Sequence, residues 1–147
     1  MALPDINVLV YAIDKKSPFH ASCEKWLVDA LNGTDPVSFP WHSLLGFVRI
    51  ATNPRAMKSP MTVKDALDYI DEWLGQPQSR IVEPLETHAS TLRRLLDTAG
   101  VGGNLVSDAH LAAIAIDHGV EIVSCDADFA RFPGLKWYNP VTGMRAK

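Results

Sequence analysis

The sequence predicts an α/β fold, a mostly parallel central sheet of about four to five strands with helices on both faces. Three observations predict it. Short apolar runs alternate with amphipathic helical runs along the chain, the pattern of successive strand–helix crossovers. One run, Leu111 to Ile116, is apolar on nearly every side and must be buried by other elements. The 147 residues amount to about one domain, with no internal repeat and no linker that would divide them.

The elements follow in order. Ala2 to Asp5 reads as a first strand, and Asn7 is placed to cap a helix over Val8 to Ile13. His20 to Leu31 carries Cys23, Trp26, Leu27, Ala30 and Leu31 at helical spacing, with Asn32-Gly33 as its stop. Pro36 to Pro40 is a short strand. Leu44, Leu45, Val48 and Ala51 share one face of a helix over Trp41 to Ala51, which Asn53-Pro54 ends. Thr62 caps the helix Val63 to Leu74, and Arg80 to Glu83 is a further strand. Thr87 to Ala99 is helical until Gly100 and Gly102-Gly103 break it. Asp108 opens the buried helix that Gly119 terminates, Glu121 to Cys125 is the next strand, and Leu135 to Tyr138 the last. The working domain is expected over residues 1–140, with 141–147 as an unstructured tail.

Composition narrows the function. At 47% hydrophobic and 21% charged the chain is neither disordered nor fibrous. No apolar stretch approaches the ~18 residues of a membrane span, and the start Met-Ala-Leu-Pro-Asp lacks the basic and apolar regions of a signal peptide. A cytoplasmic location is therefore expected. Cys23 and Cys125 show no C-x-x-C spacing, so they are expected to be small packing residues in a reducing compartment. Trp26, Trp41, Trp73 and Trp137 fall in amphipathic or strand contexts that suit core or dimer packing better than base stacking. The formal net charge of -3 argues against binding nucleic acid through bulk charge.

The placement of the acids says more than their number. Asp5 ends the first strand, Asp108 opens the buried helix, and Asp126 and Asp128 follow the strand Glu121 to Cys125. In open parallel sheets, ligands sit beyond the carboxyl ends of the strands. Each acid alone has a structural explanation in a turn or a helix dipole; jointly, four acids from three distant segments point to one edge. Such a cluster needs a cation, and oxygen-only donors favour magnesium or manganese over zinc. Divalent ions in that setting support phosphodiester cleavage. Without those four aspartates the count becomes 13 acidic against 14 basic residues, so the net acidity is concentrated in the candidate site.

Three segments then carry a family resemblance. Leu3-Pro4-Asp5-Ile6-Asn7-Val8-Leu9-Val10-Tyr11-Ala12, Ser107-Asp108-Ala109-His110-Leu111-Ala112-Ala113, and Ser124-Cys125-Asp126-Ala127-Asp128-Phe129 with Phe132 resemble the PIN-domain ribonucleases, in order and over nearly the whole chain. Within them the chain is similar to VapC-type toxins of toxin–antitoxin pairs. The resemblance implies a compact α/β/α fold, magnesium-dependent endoribonuclease activity on RNA, a homodimer, and inhibition by a small VapB-type antitoxin. It also implies metal-binding roles for Asp5, Asp108 and Asp126, with Asp128 a catalytic neighbour and Asn7 a support for the first acid.

The resemblance has one departure. The family usually carries a glutamate in the helix after the second strand, where this chain has Gly46, and no carboxylate occurs between Asp35 and Asp65. Glycine inside a helix is unfavourable by about 1 kcal/mol relative to alanine, so Gly46 is expected to permit a close approach. The missing acid keeps an alternative open, a weak or inactive module that acts by binding RNA or antitoxin. Arg49, Arg55 and Lys58, beyond Gly46, form either a basic lip for RNA or antitoxin or a solvated helix end. Arg93 and Arg94 read as solvated. His42 and His110 lack an H-E-x-x-H pattern and any nucleophile partner. A phosphatase reading fails because no second acid stands two residues after Asp5 and no phosphate-binding lysine stands where it would be needed.

Overall fold

A computed structural model describes residues 1–100, 102–103 and 105–146. Strands β1 (Ala2–Pro4), β2 (Val37–Phe39), β3 (Ser79–Ile81), β4 (Glu121–Val123), β5 (Trp137–Tyr138) and β6 (Arg145–Ala146) form one sheet in the order β3-β2-β1-β4-β5-β6. Every pairing is parallel except β5 with β6. The helices are α1 (Ile6–Ile13), α2 (His20–Leu31), α3 (Trp41–Ala51), α4 (Val63–Leu74), α5 (His88–Ala99) and α6 (Leu105–His118).

Alternation along the strands divides the core in two. Val37, Phe39 and Val123 face α1 to α4, where Val8, Leu9, Leu27, Leu44 and Phe47 pack. Leu3, Ile122 and Trp137 face α5 and α6. A strand buried on both faces has no polar side to show, which is why these strands read as nearly continuous apolar runs. Leu111 to Ala115 of α6 are almost wholly buried, as their all-round apolarity requires. Trp73 is buried and stacks on Phe39 at 6.3 Å, Trp137 is buried in the other core, and Trp41 stays exposed.

Beyond shifts of one to two residues at other element ends, three features differ from the sequence reading. Helix α1 begins at Ile6 with Asp5 as its cap, because the Asp5 carboxylate accepts from the Ile6 N–H at 2.7 Å, and Asn7 lies inside the helix. Helix α6 begins at Leu105, so Asp108 sits in its first turn rather than before it. The sheet has six strands rather than four or five, since the expected tail folds back. Asn139 makes that return: its side-chain oxygen accepts from Val141 N at 2.9 Å and Thr142 N at 3.3 Å, and its N–H donates to the Met144 carbonyl at 2.9 Å. Gly143, at φ 75°, supplies the left-handed step. Arg145 then pairs with Glu121 at 2.9 and 3.2 Å and lies over the Tyr138 ring at 4.5 Å.

Candidate metal centre

The strand order reverses between β1 and β4. Chain segments leaving these two adjacent parallel strands diverge, and the crevice between them is where open α/β sheets bind ligands. Asp5 leaves β1 there and the Ser124 to Asp128 segment leaves β4. Each acid also stands at a helical N-terminus: Asp5 caps α1, Asp108 is in the first turn of α6, and Asp126 caps the 3-10 helix Ala127–Arg131 with Asp128 in its first turn. Unpaired N–H groups and the helix dipole favour carboxylates at those points.

Asp108, Asp126 and Asp128 each present an oxygen within 4.8 Å of the others. Asp5 is not a member of this triplet; it is 6% exposed, and its oxygens accept from the Ile6 N–H, the Ser124 hydroxyl at 2.7 Å and the Asn7 amide at 3.2 Å. Burial pushes the Asp5 carboxyl up, helped by the charge of Asp126 and opposed by the Ser124 and Ile6 bonds. Burial, and then the charges of Asp126, Asp5 and Asp128, push Asp108 up to about 7. Asp128 has a cationic neighbour in Arg131, at 3.6 Å. Carboxylate donors at ligand spacing, their like charges raising Asp108, fit a hard divalent cation.

Sequence reasoning missed Ser124, which ties the site together. Its hydroxyl donates to Asp5 and accepts from Asp126 N at 3.0 Å and from the Asn7 amide at 3.2 Å. The Asn7 oxygen accepts from Cys125 N at 3.2 Å, closing the network. The Ser124 carbonyl accepts from the Trp137 indole at 3.0 Å. In sequence Ser124 shows only as a polar residue ending the apolar run Ile122-Val123, and the structure buries it completely. Ser124→Ala is expected to lower stability by about 1–3 kcal/mol, the cost of leaving buried polar groups without their partner. Because the Ser124–Asp5 bond favours the ionised form of Asp5, the loss should shrink as pH falls and level off well below 3.8, where Asp5 is protonated folded and unfolded. Urea titrations at several pH values check this.

The other candidates lie outside the acidic triplet. Arg49 and Arg55 are exposed, at the end of α3 and in the turn beyond it. His42 and His110 belong to a group of imidazoles that includes His88, also missed: His88 Nε2 lies 3.0 Å from His110 Nδ1, and His42 meets His110 edge-on at 5.2 Å. Burial lowers both His42 and His110, with Arg49 adding to the first and the neighbouring imidazoles to the second. Gly46 faces Ile6, where an added Cβ would stand 2.2 Å from Ile6 Cδ1 and 2.5 Å from Cγ1.

The PIN domain family model matches residues 2–135 of this chain. Ribonuclease VapC37 of Mycobacterium tuberculosis is 44% identical over 140 residues, covering 95% of this chain and 97% of its own length. This chain belongs to the PIN-domain family, among the VapC ribonucleases. Ribonuclease VapC33 of the same species is 39% identical over 96% of this chain and 99% of its own. Among solved structures, VapBC2 from Rickettsia felis bound to a promoter DNA fragment superposes with a TM-score of 0.69 at 20% identity, over 94% of this chain and 97% of the matched one. The PIN fold thus accounts for the switch-point placement of the acids, and no described helix is long and apolar enough to cross a membrane.

Proposed function

We propose that this PIN domain is the toxin of a type II toxin–antitoxin pair, a magnesium-dependent endoribonuclease that hydrolyses RNA phosphodiester bonds and is inhibited by a VapB-type antitoxin. The observation that carries this reading is the meeting of Asp108, Asp126 and Asp128 within 4.8 Å at the sheet's switch point, beside Asp5. Asp5, Asp108 and Asp126 are assigned to holding magnesium, with manganese as a substitute, and Asp128 to orienting the attacking water. A bound divalent cation supplies stabilisation of the charge that builds on the phosphodiester. Ser124 donates to Asp5 and favours its ionised form against the burial that raises it, Asn7 also donates to it, and the Ser124–Asp126 bond fixes the second acid relative to the first.

Exposed Arg49 and Arg55 are assigned to RNA phosphates or to the antitoxin. The antitoxin assignment is supported by the likeness to a VapBC assembly and by a groove of about 300 Å³ between α1, α2 and α4, lined by Leu27, Leu31 and Trp73 and by the polar Glu24 and Glu72. Exposed Trp41 and Leu45, one turn apart on α3, suit the interface of a homodimer. Purified protein should cleave RNA with magnesium or manganese, and neither with EDTA nor as Asp5→Asn. Equal cleavage in all arms rejects the assignment. Toxicity without cleavage in any arm favours the binding-only alternative that Gly46 keeps open.

A further inference from the structure

Cys23 and Cys125, 102 residues apart in sequence, meet in the structure: their sulfurs are 3.7 Å apart and both are free thiols. Cys23 is fully buried on α2, while Cys125 is half-buried in the short run between Ser124 and Asp126. Cys125 also lines an open pocket of about 490 Å³ together with Asn7, Tyr11 and Asp126. We infer that the two cysteines form a reversible thiol–disulfide couple beside the candidate metal centre, oxidised by a low-molecular-weight disulfide entering through that pocket.

The placement assigns a role to each sulfur. Cys125 is the one solvent reaches, and Cys23 is the one already touching it from behind. The Cys125 thiolate attacks one sulfur of the small disulfide, forming a mixed disulfide and expelling one thiolate, which takes up the proton Cys125 lost. The Cys23 thiolate then attacks the Cys125 sulfur of that mixed disulfide, the bond to the small molecule breaks, and a second small thiol leaves with the Cys23 proton. Two protein thiols are oxidised and one small disulfide is reduced to two thiols.

Forming the bond pulls on the edge of the site. A disulfide is about 2.05 Å long, so the sulfurs have to close by about 1.6 Å from their 3.7 Å contact. On one side, Cys125 N donates to Asn7, whose amide donates to Asp5, and both chain neighbours of Cys125 belong to the acidic centre. On the other, α2 packs against α1, which starts at Asp5. Motion of either partner therefore reaches the same network. A misplacement of about 1 Å passed on to the catalytic groups is enough to lower rates tenfold or more.

The fall in cleavage rests on the function proposed above, whereas the bond and its effect on the network are read without it. The folded, reduced protein is incubated with oxidised glutathione and followed by intact mass, by peptide mapping, and by amide NMR at Asn7 and residues 124–128. The expected product has lost two hydrogens, carries a peptide link between Cys23 and Cys125, shifts those amides, and cleaves RNA about tenfold more slowly or worse. Dithiothreitol should reverse all four changes. Cys23→Ala, which lacks the resolving sulfur, should cleave normally when reduced and accumulate one bound glutathione at Cys125. A wild-type protein that also stops at the glutathione adduct, or links only in denaturant, overturns the couple. A link that leaves the amides unmoved overturns its effect on the site. If reduced protein cleaves no RNA but links and shifts as described, the proposed function fails and the couple stands.

Discussion

Replacing Asp108 with asparagine is expected to lower RNA cleavage by at least about a hundredfold while making the cation-free protein more stable above neutral pH. The two effects have one cause. Burial and the charges of Asp126, Asp5 and Asp128 push the Asp108 carboxyl up to about 7 from an ordinary 3.8. Between those values the folded protein holds a proton that the unfolded chain has released. Stability contributed by that proton is full below 3.8 and lost as pH rises through about 7. An asparagine has no charge to repel, so the variant should match wild type at low pH and exceed it at about pH 8 in EDTA. Because Asp108 is only half buried, solvent screens part of the effect, and the prediction concerns its sign and its window.

His42 and His110 work in the opposite direction, since their lowered values favour the folded state as pH rises. They are common to both proteins, so the difference between wild type and variant removes them. Magnesium should then reverse the order by binding only the protein that keeps the carboxylate. Melting curves from about pH 4 to about pH 8.5, with EDTA and with magnesium, read both effects. A variant less stable than wild type at high pH in EDTA would show that Asp108 has a structural partner and is not strained by its neighbours.

The same acids show why part of this protein was legible in its sequence. Strand ends and helix starts are local features, so Asp5, Asp108 and Asp126 could be assigned to one edge from period and turn chemistry alone. Their meeting needed only the rule that parallel strands point their carboxyl ends the same way. The five longer strand candidates and all six helices were legible for the same reason. What stayed hidden depends on contacts across long stretches of chain. Ser124 bonds to Asp5, 119 residues away, and nothing within either segment encodes that bond. The Cys23–Cys125 contact spans 102 residues. Strand β6, Arg145–Ala146, carries no apolar run like the one around β5, although Asn139-Pro140 and Gly143 ahead of it carry the turn chemistry that returns the chain. At Asp5 the local competition between two capping residues went to the acid because its carboxylate reaches the first free N–H, while Asn7 is drawn to Ser124 and Cys125.

Restoring the family's glutamate, as Gly46→Glu, is expected to destabilise the protein and leave cleavage no faster. Helix propensity alone favours the change by about 1 kcal/mol, since glycine is among the poorest residues inside a helix. Close packing opposes it. Any Cβ at position 46 would meet Ile6 at Cδ1, Cγ1 and Cγ2, at 2.2, 2.5 and 3.2 Å. Ile6 cannot simply swing aside, because a β-branched side chain in a helix has one strongly preferred rotamer, and α1 is packed on α3 at this crossing. Overpacking of this kind typically costs about 1–3 kcal/mol, enough to outweigh the propensity gain.

A double-mutant cycle separates the two contributions. Ile6→Ala removes the atoms in the way, so the loss caused by Gly46→Glu should be smaller by about 0.5–3 kcal/mol in the Ile6→Ala background. Ile6 directly follows Asp5, and the space it fills is the space a carboxylate at position 46 would enter. The double variant should therefore cleave RNA faster than Ile6→Ala alone, with the added acid strengthening cation binding. Additive stabilities would show that Ile6 does not hold position 46 as glycine. A double variant no faster than Ile6→Ala would show that Asp128 already supplies the charge the missing glutamate provides elsewhere in the family.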